Sequence, residues 1–245
     1  MFIGQLRGTI FAPLNIGFTP DTYKEFSDIL LPGARALGVN QPEMIVPGFN
    51  PNIPQYGLPW RLFKKSQNDE GDYNIVFLPG KIDIIYTKDI LYGTDAEEKF
   101  CEQCAEWFIR ILSKHGNQAV TRIAYAPLYA FKLNAEDSDP VWRRFIKRTT
   151  IDGIGLQDVN FRFLLKKEIE FNGNAIQMNL LHNFSDGVQI KQNGAVNTSQ
   201  KVVLFQLDMN SIPEQPLALD SNGVRDFFRQ ITTVRENLVN DVTEQ

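Results

Sequence analysis

The residues in this chain that could do chemistry are few and scattered. Cys101 and Cys104 stand in a C-x-x-C spacing, and His115 and His182 are the only histidines. A redox pair needs its attacking thiol at a helix amino terminus, where the dipole stabilises the thiolate. These two fall about two turns inside a helical apolar pattern, so they read as buried structural thiols. Zinc would need two more ligands, and there is no second C-x-x-C. His182 follows the inward parity of Ile176, Met178 and Leu180. That marks a core or rim residue, with a general base as the alternative. Ser185 close by lacks the Gly-x-Ser-x-Gly elbow of an activated nucleophile. Glu168 and Glu170 could divide acid and base work or hold a metal, but they share one strand face with Arg162 and Lys166, which reads as solvated surface. Gly153-Ile154-Gly155 lacks the third Gly and the Lys of a phosphate loop. The sequence therefore assigns no catalytic residue, no metal site and no cofactor.

Two segments suit binding better. Arg143, Arg144, Lys147 and Arg148 crowd a short predicted helix opened by Asp139-Pro140, with Lys132 before it and Lys166-Lys167 after. Such a group could hold a phosphate-bearing ligand or an acidic protein. The plainer reading is a solvated helix face balanced by Glu136, Asp137 and Asp139. The second segment is the Pro-rich stretch 32–59, a long irregular connection of the kind that often carries a binding surface. Phe49, Tyr56 and Trp60 are its candidate contact residues.

The clearest positioning element is 94–116. Thr94 and Glu97 have capping-box spacing, and Phe100, Cys101, Cys104, Trp107, Phe108, Ile111 and Leu112 recur at three and four. A long helix lying on a sheet is predicted, stopped by Gly116. Before it, Tyr73, Ile75 and Phe77 alternate, Pro79-Gly80 turns the chain, and Ile82, Ile84 and Tyr86 alternate again, as in a hairpin. A strand at 5–11, a helix from Thr19-Pro20 and a strand at 120–133 surround this unit. Pro127 places that last strand at an edge or at a bulge. A second series follows. A β-rich unit begins near Leu156, with Val159, Phe161, Phe163, Leu165, Ile169 and Phe171 on one parity; Asn172-Gly173 gives the strongest hairpin signal, Asp186-Gly187 and Asn193-Gly194 mark further turns, and 201–209 forms the next strand. A final helix carries Val224, Phe227, Phe228, Ile231, Val234 and Leu238, with Asp220 or Ser221 as its cap.

The predicted fold is therefore α+β: two strand-meander-plus-long-helix units, mainly antiparallel, with helices packed on sheet faces. The units are 1–135, including loop 32–59, and 136–245, with one continuous domain as the alternative.

The chain has 245 residues, is 43% hydrophobic with 18 Phe, and carries a formal charge of -4, which suits a packed globular protein and announces no global attraction to nucleic acid or anionic membrane. No apolar run is long enough to span a bilayer, and the amino terminus lacks a secretory pattern. With two cysteines, a reducing cytoplasm is the expected compartment.

The 73–86 hairpin, the strand Val120-Thr121-Arg122-Ile123-Ala124-Tyr125 after a long helix, and the Leu207-Asp208 strand leading to Phe227-Phe228 together resemble a sporadically distributed bacterial family of about this length. The resemblance covers most of the chain from Trp60 onward, and family patterns tend to have Gly where Ala124 stands. It implies no activity and carries over no catalytic residue. The expectation is thus a non-catalytic binding or interaction protein. An enzyme acting on a nucleotide or nucleic acid, and a structural subunit of a homo-oligomer, are the alternatives.

Overall fold

The computed structural model describes residues 2–14, 16–17, 19–30, 43–45, 60–64, 71–91, 95–115, 118–132, 150–151, 154–155, 160–171, 173–193 and 196–243. Among these, the strands are β1 (Phe2–Phe11), β2 (Glu43–Ile45), β3 (Trp60–Lys64), β4 (Asp72–Leu78), β5 (Lys81–Leu91), β6 (Arg122–Tyr125), β7 (Leu128–Lys132), β8 (Thr150–Ile151), β9 (Ile154–Gly155), β10 (Asn160–Phe171), β11 (Asn174–Asn193) and β12 (Val196–Ser211). The helices are α1 (Pro20–Leu30), α2 (Ala96–Lys114) and α3 (Ser221–Thr243). Ten strands make one sheet in the order β10-β11-β12-β6-β1-β5-β4-β3-β2, with β7 continuing β6 between β1 and β12. Its pairings are antiparallel. β8 and β9 form a separate two-stranded ladder, with Thr150 opposite Gly155 and Ile151 opposite Ile154.

The fold class is α+β, and among the described residues the main strands of both expected units lie in one sheet. The strands expected on either side of residue 135 join, because β6 and β7 bond to β1 on one side and to β12 on the other. Pro127 is compatible with this central position because the ladder breaks there. Ala126 N–H donates to Arg7 O (2.8 Å), and Leu207 N–H donates to the Pro127 carbonyl (3.2 Å). The missing proline donor thus falls at the junction of two strands, away from any edge.

Alternation places Leu6, Ile10, Ile84, Ile123, Tyr125, Phe205 and Leu207 in the core on the helix-bearing face. α2 and α3 lie antiparallel, with Phe108 against Phe228 near one end of the contact and Glu97 against Arg235 at the other. Trp107 and Phe228 are both buried. Gly8, at the middle of β1, is where both helices sit down. A Cβ built there would meet Cys104 Sγ at 2.9 Å and the Phe228 ring at 3.1 Å. Gly8→Val should therefore destabilise the fold by about 1–3 kcal/mol through overpacking, read as a lower urea midpoint at unchanged m-value.

Three local expectations resolve differently. Glu97 does not close a capping box: it turns inward to the sheet and α3, Asp95 is the α2 N-cap without a side-chain capping bond, and Thr94 lies outside the described residues. Asp186-Gly187 is not a turn, since β11 runs through it in register with Val203 and Val202. A Cβ at Gly187 would lie 2.8 Å from Leu204, so this glycine permits close cross-strand packing. The chain does turn at Gly173 and at Pro79-Gly80, with Gly173 and Gly80 at φ 79° and 69° and flanking pairs Phe171–Asn174 and Leu78–Lys81; Asn172 lies outside the described residues. α3 takes its cap from Asp220, whose Oδ1 accepts the Gly223 N–H at 2.8 Å.

Candidate functional site

The side chains singled out as possible chemistry mostly prove structural. Cys101 and Cys104 are enclosed in the core, and burial pushes both thiols well above their ordinary pKa. A neutral buried thiol is a poor nucleophile. His182 is buried between Phe163 (ring centroids 4.5 Å apart, nearly parallel) and Phe205. Its Nδ1 lies 3.1 Å from Leu180 O, and burial lowers its pKa, which keeps the imidazole neutral. Among the described residues, no carboxylate or arginine joins it. Arg162, Lys166, Glu168 and Glu170 are exposed on β10, where Glu168 accepts a hydrogen bond from Gln177 (2.7 Å). Among the described residues, no group of three or more His, Cys, Asp or Glu could hold a metal ion.

Trp60, proposed as a contact residue, is fully buried. It stacks on Phe77 at 4.1 Å, packs against Phe26, and donates its indole N–H to Ile16 O at 2.9 Å. It anchors the start of β3 and offers no surface to a partner. Phe49, Tyr56, Arg143, Arg144, Lys147 and Arg148 lie outside the described residues.

A second polar group is buried beneath α2. Glu97 forms an ion pair with Arg235 of α3 (2.9 Å) and accepts hydrogen bonds from Tyr125 (2.5 Å) and Tyr129 (3.5 Å). Burial raises the Glu97 pKa, although Arg235 and the tyrosine hydroxyls pull the other way. This group ties both long helices to β6 and β7, and we assign it to architecture. On the outside of the same helix pair, a groove of about 430 Å³ lies between Glu102, Glu106 and Arg110 of α2 and Arg225 and Arg229 of α3. Its mixed charges select no ligand class.

The constellation that sequence reasoning missed lies on the opposite sheet face. Residues alternating away from the helices on β1 are Arg7, Thr9 and Phe11, and antiparallel register brings distant residues beside them. Thr9 pairs with Asp83 on one side and Ala124 on the other; Phe11 pairs with Lys81 and Arg122; Ala124 pairs with Asn210, and Asn210 with Asn179. Asp83 is the hub. It accepts from Arg7 Nε and Nη2 (3.2 and 2.9 Å) and Thr9 Oγ1 (2.6 Å), and it pairs with Lys81 Nζ (2.9 Å). This carboxylate is almost wholly enclosed, while the Arg7 side chain stays 36% exposed.

Arg122 is held differently. Its Nε donates to Ser211 O (3.1 Å), its Nη2 donates to Asn210 Oδ1 (2.8 Å), and its guanidinium stands 5.0 Å from the centre of the Phe11 ring. Lys81 approaches the same ring at 5.5 Å. Every partner of Arg122 among the described residues is neutral, so the charge is fixed in position but not neutralised. Asn210 in turn donates to Asp208 (3.0 Å) and accepts from Asn179 (3.4 Å). An oriented, half-buried guanidinium with adjacent cations can receive a carboxylate or phosphate through charge-assisted hydrogen bonds. The only signal in the sequence was the polar parity of each strand, which does not reveal who stands beside whom. No protein-family model matches this chain, and no curated protein sequence matches it.

Proposed function

We propose that this chain is a binding protein that receives an anionic group of a partner on the sheet face opposite the described helices, centred on Arg122 with Arg7 and Lys81. The observation that carries the reading is the set of neutral contacts that aim Arg122 beside Phe11. A half-buried cation without a counter-charge gains more from an incoming anion than a solvated surface lysine does. The partner class is an acidic protein or a phosphate-bearing molecule, as the basic 143–148 segment also suggests. The proposal includes the two-unit reading of the chain, since β3–β5 then α2 and β10–β12 then α3 follow one plan around β1, β6 and β7. It also includes membership of the bacterial family resembled by the 73–86, 120–125 and 207–228 segments.

The test is a thermal-shift titration with pyrophosphate and with citrate, each balanced against chloride at equal ionic strength. Wild type should gain stability in proportion to occupancy. Arg122→Gln should lose at least about tenfold in affinity, as expected for one charge-assisted contact. Equal shifts in the two proteins would sink the reading.

A further inference from the structure

β10 is an edge strand of the sheet: β11 is its one neighbour among the described residues. Long edges usually carry protection against pairing with another chain. Here Leu164 and Leu165 at the middle of β10 are 50% and 49% exposed, and with Val188 they make up the exposed large hydrophobics among the described residues. One leucine lies on each face of the strand, so a single covering element on either face would leave the other bare. An added strand at the edge covers both.

We propose that β10 pairs antiparallel with β10 of a second copy, extending the sheet across a two-fold axis at Leu165. The occupant follows from the side-chain order Asn160-Phe161-Arg162-Phe163-Leu164-Leu165-Lys166-Lys167-Glu168-Ile169-Glu170. With Leu165 opposite its own copy, Arg162 stands opposite Glu168, Asn160 opposite Glu170 and Phe161 opposite Ile169. Leu164 stands opposite the aliphatic stem of Lys166, and Phe163 opposite that of Lys167. By symmetry each of these pairs occurs twice. All residues that meet share a sheet face, as antiparallel pairing requires. Sliding the partner by two residues one way sets Lys166 against Lys166. Sliding it the other way sets Arg162 against Lys166. The charges thus favour the Leu165 register: one neighbour sets Lys166 on its own copy, although Arg162 then meets Glu170, and the other sets Arg162 on Lys166 twice. Glu168 contacts Gln177 across the β10–β11 ladder, and Arg162 has no partner among the described residues, so both are placed to engage across the axis.

The proposal is independent of the anion site and is tested on the full chain by sedimentation velocity over a wide concentration range, with circular dichroism as the folding control. Wild type should pass from monomer to dimer. Leu165→Lys, which puts like charges on the axis, should raise the dimer dissociation constant at least about tenfold, and so should Arg162→Glu. Arg162→Glu combined with Glu168→Arg restores opposite charges and should return association to near the wild-type level. A cross-link gives a second reading: oxidised Leu165→Cys should form a covalent dimer, while Leu164→Cys, whose partner is Lys166, should not. Cys101 and Cys104 are buried and do not compete. A wild type that stays monomeric throughout, a dimer indifferent to Leu165→Lys, or a charge swap without rescue would each overturn the proposal.

Discussion

Glu97→Ala should cost about 3–5 kcal/mol in chemical denaturation, because it strands Arg235 inside the protein and deprives the Tyr125 and Tyr129 hydroxyls of their acceptor. Breaking a buried pair from one side is more damaging than the pair's net contribution, since the remaining charge keeps its desolvation penalty. Glu97→Gln keeps an acceptor for Tyr125 and isolates the charge. Desolvation raises the native pKa of Glu97 above its ordinary value, against the pull of Arg235. The native state therefore holds this proton more tightly than the unfolded chain does. The stabilisation linked to it is fully present below the unfolded carboxylate pKa and is lost as pH rises through the native value. The stability advantage of wild type over Glu97→Gln should accordingly shrink across that window on going from acid to neutral pH. Urea melts of both proteins across the acid-to-neutral range measure it, and an advantage that grows instead would reverse the assignment.

Trp60→Ala should be nearly as severe, at about 3–5 kcal/mol. The indole is fully enclosed against Phe26 and Phe77, so truncation leaves a large cavity and removes the donor to Ile16 O. The measurement also separates two roles. A residue on a binding surface would weaken partner or anion binding while leaving the unfolding midpoint alone. A packing residue does the reverse, and its loss should leave pyrophosphate affinity of the folded fraction unchanged.

Several elements were legible because their information is local. The stripe from Phe100 to Leu112 predicts α2, alternation at 73–77 and 82–86 predicts β4 and β5, and Asn172-Gly173 predicts the β10–β11 turn. Where the reading failed, long-range partners prevailed over local preference. Glu97 abandons its capping role for Arg235 on a helix far along the chain. Asp186-Gly187 stays extended because β12 pairs with it on both sides of the glycine. Pro127 lies in the sheet centre because the break between β6 and β7 absorbs its missing donor. The Arg122 site fails to show for the same reason. Arg7, Asp83, Arg122 and Asn210 belong to separate strands, and only the sheet order and register make them neighbours.

β1 is gripped on one side by β5 and on the other by β6 and β7. On the ribosome, the nascent chain therefore presents Leu6 and Ile10 on a strand with no finished seat until Ala124 and its neighbours have been made. A strand held open so long invites pairing with the wrong chain, and closing it requires bringing remote segments together, which is slow. The middle of this sheet thus cannot close until those segments are made, and it stands to gain from a holding chaperone.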